Sequence, residues 1–122
     1  SYEELRMADL IIDSLCNFLH QEGQADRTIK GIDRLRTKRE TSMAAQLCMK
    51  SGTRLSTMMG VSAQTGRNPV QRHFRDLRTM STHGALHWDN ATTPTGQYLL
   101  GIETGDALID KENEFIKQQE SN

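Results

Sequence analysis

Apolar residues recur three and four positions apart along almost the whole chain, a period that an α-helix can bury along one side and a strand cannot. Leu5, Ala8, Ile12, Leu15, Cys16 and Leu19 form the first such series, closed by Gly23, and Ser1 with Glu4 has the spacing of a capping box ahead of it. Asp26 is placed to cap a second segment through Ile29, Ile32 and Leu35. Ala44, Leu47, Cys48, Ser51, Leu55 and Met58 extend that segment toward Gly60, with Gly31 and Gly52 as weak points. After a turn over residues 60–68, Asn68 and Pro69 signal a new helix: a capping side chain, then a residue suited to the first helical position. This helix is expected to end near Trp88 to Asn90, before a break at Thr92-Thr93-Pro94. A short helix is expected over residues 95–103, and Leu108, Ile109, Phe115 and Ile116 give the tail a weak helical pattern. No strand pattern and no internal repeat emerge. The fold class is therefore all-α, an antiparallel (up-down) helical bundle occupying residues 1–122 as a single domain.

Bulk properties narrow the function classes. A chain of 122 residues with a formal net charge of −1 and 25% charged residues is a poor generic nucleic-acid binder, and no apolar run approaches the ~20 residues of a membrane span. Cys16 and Cys48 are isolated, without a Cys-x-x-Cys pairing, so a reducing cytoplasmic setting is expected, with both thiols as packing residues. Met43, Met49, Met58 and Met59 are expected to fill gaps in the bundle or at a subunit interface.

The chemistry concentrates between residues 68 and 88. At about 100° per residue, Val70, Phe74, Leu77, Ser81, Ala85 and Trp88 share one side, and Arg72, Asp76, Thr79, His83 and His87 form a polar stripe opposite. Such a stripe is either solvated surface or a ligand-facing edge. His83 and His87 are four apart, but residues 84–86 lack the Glu of a His-Glu-x-x-His motif, so no metal site is assigned. Ser81, His83 and Asp76 lack the context of a nucleophile elbow. Lys30, Arg34, Arg36, Lys38 and Arg39 make a modest basic run that i,i+4 pairing on a solvated helix explains. No phosphate-binding glycine motif occurs.

The segment from Gly60 to Asp76, with a glycine turn followed by Pro69, Val70, Arg72, Arg75 and Asp76, resembles the C-terminal helical domain of the acyl-CoA dehydrogenase superfamily. Members of that family are much longer, which implies that this chain is the C-terminal portion of an enzyme with an upstream helical domain and a β domain. True dehydrogenases carry a catalytic Glu shortly after the Arg-Asp helix. Here Leu86-His-Trp-Asp-Asn-Ala-Thr-Thr-Pro94 holds none. The run from Arg75 to His83, followed by Gly96-Gln-Tyr-Leu-Leu-Gly101, is instead similar to the flavin-dependent hydroxylases of the same fold. That resemblance implies reduced FMN or FAD as cofactor, the free mononucleotide fitting that branch better. It also implies molecular oxygen as co-substrate, a flavin C4a-hydroperoxide as oxygen donor, a separate flavin reductase, a small aromatic or phenolic substrate and a homotetramer. His83 is the implied catalytic residue, supporting the oxygenating intermediate or activating the substrate. Gly60, Arg72 and Thr79 are the implied cofactor contacts, and Arg75 and Asp76 an ion pair bridging helices. A dehydrogenase-type flavoenzyme domain and a non-enzymatic helical interaction module are the alternatives.

Overall fold

A computed structural model describes residues 1–121, apart from the side chains of Ala63, Phe115 and Ile116. Five α-helices follow one another: α1 (Tyr2–Gln24), α2 (Gly31–Met58), α3 (Pro69–Ser81), α4 (Trp88–Leu99) and α5 (Ala107–Glu120), with a 3-10 turn at Gly60–Gln64 between α2 and α3. Among the described residues no strand occurs, and no helix is long and apolar enough to cross a membrane. Of the expected tail pattern, Phe115 and Ile116 lie outside the described side chains.

The 28-residue α2 is the spine, and each of the other helices packs against it. Cross-helix contacts fix the directions. Glu4 meets Arg54 while Phe18 lies under Arg36, so α1 is antiparallel to α2. Gly52 faces Leu77 and Phe74, Ser42 bonds to Leu86, and Arg39 bonds to Thr95, so α3 and α4 follow one another along α2 in the same antiparallel sense. α5 does likewise, with Asp106 at Lys38 and Glu112 at Gly31. Gly52 is where α3 comes closest: a Cβ there would sit 2.5 Å from Leu77 Cδ2. The glycine that weakens α2 locally is what lets α3 lie down on it.

Among the described residues the core is thin. Ala8, Leu15, Leu35, Ala44, Ala91 and Ile109 are its buried apolar members, whereas Leu5, Ile12, Leu19, Leu55, Met43, Met58 and Met59 remain exposed. Of the two free thiols, Cys16 is exposed; Cys48 is half-buried, and its burial, with Asp9 nearby, pushes its pKa up.

Several local expectations are corrected. Ser1 stands at the N-cap of α1 without a side-chain cap bond of its own, but Glu4 does reach back, its Oε2 lying 3.4 Å from the Ser1 amino group while its Oε1 meets Arg54 (3.0 Å) and Lys50 (3.6 Å). Asp26 does not cap α2 but takes a left-handed conformation (φ 51) in the connection, and Lys30 holds the N-cap position. The cap comes from another helix: Glu112 of α5 accepts the hydrogen bond of the Gly31 amide. Removing it with Glu112→Ala leaves a buried N–H unpaired. We expect a loss of about 1–2 kcal/mol in urea unfolding, about half of it recovered by Glu112→Gln.

The helix read through to Trp88 stops at Ser81, and Gly84, the poorest helix former in the segment, falls in the turn that follows. Pro94, taken as a break, lies inside α4. Its missing N–H deprives only the Asn90 carbonyl, and Asn90 is exposed to water.

The tail is a true helix with a built start. Asp106 caps α5 through the Leu108 amide and pairs with Lys38 at 3.0 Å, while Asp110 gathers the Thr104 amide and hydroxyl and the Gly105 amide. Both carboxyls are held below their ordinary range, Asp106 first by the Lys38 hydrogen bond and Asp110 first by the Thr104 amide. Groups depressed on folding stabilise above the unfolded pKa of about 3.9 and lose that contribution as pH falls through the folded values. Docking of α5 is therefore expected to weaken below about pH 4. Proteolytic release of the tail across that range should show it, and Asp110→Asn should flatten the response.

Candidate functional site

α3 begins as its sequence dictates: Asn68 Oδ1 accepts the Val70 amide at 3.0 Å and Pro69 takes the first helical position. The apolar residues Phe74 and Leu77 turn toward α2, leaving Arg72, His73, Arg75, Asp76, Arg78 and Thr79 exposed. Arg72 Nε stands 3.9 Å from Asp76 Oδ2 one turn on, with its side chain 77% exposed. This pairing stays within α3, and among the described residues no ion pair carries Arg75 or Asp76 to another helix. Arg67, Arg75 and Arg78 have no ion-pair partner among the described residues, which makes this edge strongly basic in a chain of net charge −1.

The polar stripe survives only in part. Arg72, Asp76 and Thr79 share the exposed side of α3, and the Thr79 hydroxyl donates to the Arg75 carbonyl at 2.9 Å, so lone pairs are what it offers a ligand. His83 lies in the turn beyond the helix, and His87 is the N-cap position of α4. Ser81 donates to the Arg78 carbonyl and Asp76 faces Arg72, so neither bonds to His83. No cluster of three His, Cys, Asp or Glu able to hold a metal occurs among the described residues. Gly60, at φ +62 with open space around its missing Cβ, opens the 3-10 turn before α3. Gly60 precedes and His83 follows α3, a 13-residue helix about 20 Å long. Arg72 and Thr79 lie on the exposed side of α3 and His83 in the turn just beyond its end, whereas Gly60 lies before its start.

The turn that carries His83 is closely tied. The Leu86 amide donates to the His83 carbonyl at 2.8 Å, and the Ala85 amide donates to His83 Nδ1 at 3.2 Å. Ser42, fully buried on α2, donates to the Leu86 carbonyl at 2.8 Å, and Asn90 of α4 donates to the Gly84 carbonyl at 3.2 Å. A backbone amide can only donate, so Nδ1 carries no proton and the neutral ring holds its proton on Nε2. The exposed ring therefore presents an N–H outward. Ser42 and Asn90 are the residues that sequence reasoning missed, since neither stands in a motif and only the tertiary fold brings them to the turn.

The hollow beside this turn, lined by Lys38, Gly84, Ala85, Asn90 and Ala91, is about 180 Å³, below the ~300 Å³ at which ligand pockets begin. A larger one of about 610 Å³ is lined by α2 alone, between Met43 and Arg54, and includes nothing of α3 or its turn. The edge offers a donor and a guanidinium to a flavin-sized ligand but does not enclose it.

Residues 3–88, covering α1 to α3 and the His83 turn, match the family model described as acyl-CoA dehydrogenase, C-terminal domain. The chain belongs to this family. Among curated relatives of this acyl-CoA dehydrogenase-like domain is the oxygenase component of the FADH(2)-dependent resorcinol hydroxylase of Rhizobium sp. (strain MTP-10005). It is 32% identical over 82 residues, which make up 67% of this chain and 20% of that protein. The pigment production hydroxylase of Rhodococcus sp. (strain ATCC 21145) is 29% identical over 77 residues, 63% of this chain and 20% of that protein. The matches thus span about a fifth of the relatives' length. No solved structure matches.

Proposed function

We propose that this domain is the C-terminal part of a flavin-dependent monooxygenase that hydroxylates a small aromatic or phenolic substrate. The observation that carries the reading is the exposed His83 ring, tied through Nδ1 by its turn just beyond the helix that exposes Arg72 and Thr79, in a chain similar to a resorcinol hydroxylase oxygenase component. Bound reduced flavin would supply two electrons to molecular oxygen, so that one oxygen atom enters the substrate as a hydroxyl and the other leaves as water. The chain's own residues would do the rest. His83 Nε2 donates a hydrogen bond to an oxygen of the cofactor or the reacting partner, Arg72 offers a positive charge to an anionic one, and Thr79 accepts through its free lone pairs.

The relative's use of FADH(2) favours reduced FAD over FMN, delivered by a separate reductase. Upstream helical and β domains would close the site that this edge leaves open, with the enzyme a cytoplasmic homotetramer. The exposed apolar residues of α1 and α2 suit such docking. Gly60, before the start of α3, would meet a different part of the cofactor, or a cofactor held mainly by another subunit.

The test is rapid-mixing absorbance on the full-length gene product with anaerobically reduced FAD, then oxygen. The expected result is a protein-dependent transient that resorcinol or a related phenol discharges into hydroxylated product. Direct reoxidation without a transient, together with reduction of bound oxidised flavin by an acyl-CoA, would establish a dehydrogenase instead.

A further inference from the structure

We infer that Ser42, on the buried side of α2, is a positioning residue for His83: by holding the Leu86 carbonyl it fixes the turn that selects the Nε2–H form of the imidazole. This makes His83 a hydrogen-bond donor rather than a proton acceptor, and its bearing on oxygenation rests on the flavin reading above.

A hydroxyl with no exposure at all, in a core this thin, is costly unless its bond is made. Ser42 spends it on a carbonyl 44 residues away, at 2.8 Å. The residue whose carbonyl it holds, Leu86, also donates its amide to the His83 carbonyl, so the serine pins the closing end of the loop. Within that closed loop the Ala85 amide comes to 3.2 Å from His83 Nδ1. Asn90 adds a second tie at Gly84, but from an exposed side chain that water can replace. Release of the Leu86 carbonyl would let the Ala85 amide turn away, and the ring would then be free to carry its proton on either nitrogen. The imidazole's chemistry is thus set from α2 as well as from the helix that precedes it, whose Met80 carbonyl accepts the His83 amide at 3.1 Å.

Long-range proton–nitrogen spectra of the protein labelled with ¹⁵N-histidine read the tautomer directly, with His83→Gln identifying the signal among the four histidines. At alkaline pH the wild-type ring is expected as Nε2–H. In Ser42→Ala the Nε2–H preference should fall about five- to tenfold, the worth of one hydrogen bond. Hydrogen exchange at the Ala85 and Leu86 amides should speed up by the same factor, while amides deep in α2 stay protected. Ser42→Cys keeps nearly the same volume with a feeble donor, and should show the same loss if the alanine variant does not fold. Ser42→Thr, which keeps the hydroxyl, should restore the wild-type signal. A folded Ala or Cys variant with an unchanged tautomer ratio, or a wild-type ring in the Nδ1–H form, overturns the inference. The two readings separate cleanly. A tautomer that responds in a protein without oxygenase chemistry would defeat the flavin reading and leave the role of Ser42 standing; an active oxygenase with an unresponsive tautomer would do the reverse.

Discussion

Leu35→Ala is expected to lower the unfolding free energy by about 2–5 kcal/mol, among the largest stability losses available to a single substitution here. Leu35 is completely buried on α2, and among the described residues it is, with Ile109, one of only two large apolar side chains with no exposure. Truncation removes its transfer free energy and leaves a cavity that rigid helix backbones can only partly close. A domain of this size is stable by only about 5–15 kcal/mol, so the variant should melt on the order of 10 °C lower. The same change at exposed Leu55 should cost well under ~1 kcal/mol, as surface substitutions usually do. Thermal unfolding of the two variants side by side checks the assignment. Equal losses would mean that the core lies elsewhere.

On the proposed monooxygenase reading, His83→Ala in the full-length protein is expected to cut hydroxylation by about 10²–10³-fold, the usual effect of removing one oriented donor from a reacting centre. Because the side chain is exposed, the variant should fold normally and bind flavin nearly as well. Much of the reduced flavin should then be oxidised without product, so the ratio of hydroxylated product to oxygen consumed would fall with the rate. His83→Gln separates the two possible roles of the ring. A carboxamide can donate a hydrogen bond in place of Nε2–H but cannot act as a base near neutral pH, so recovery to within about tenfold of wild type is expected. Full activity in the alanine variant would remove His83 from the mechanism.

The helices were legible because burial on one side leaves a period in the sequence. Ala8 and Leu15 of α1, Leu35 and Ala44 of α2, and Ile109 of α5 lie in segments read as helical and end up buried. The Asn68-Pro69 start of α3 was equally clear, since a cap is a local device whose partner lies two residues away. What the sequence hid was non-local. Glu112 caps a helix 81 residues upstream, and Ser42 holds a turn 44 residues downstream. Neither leaves any spacing to detect. The end of α3 was misplaced because Ala85 and Trp88 continue the apolar phase past Gly84, so periodicity alone carried the helix through a turn. Pro94 erred the other way: a helix tolerates proline where the freed carbonyl faces water, and exposure is a property of the fold. Arg72 and Thr79 fall on the exposed side of α3, where their angle put them, whereas the distance of Gly60 from them was not a question that a helical wheel could address.

The break between α3 and α4 also bears on how such a site can change over time. Arg72 and Thr79 hold their direction through the angular phase of α3, so a residue gained or lost inside that helix would swing them by about 100°. His83 takes its direction from a serine on another helix and the amides of its own turn, as well as from the Met80 carbonyl that accepts its amide at the end of α3. Substitutions on the exposed side of α3 that keep its length can therefore redraw the surface around the imidazole while the imidazole itself keeps its aim. A lineage could explore new ligands beside a fixed proton donor without rebuilding it.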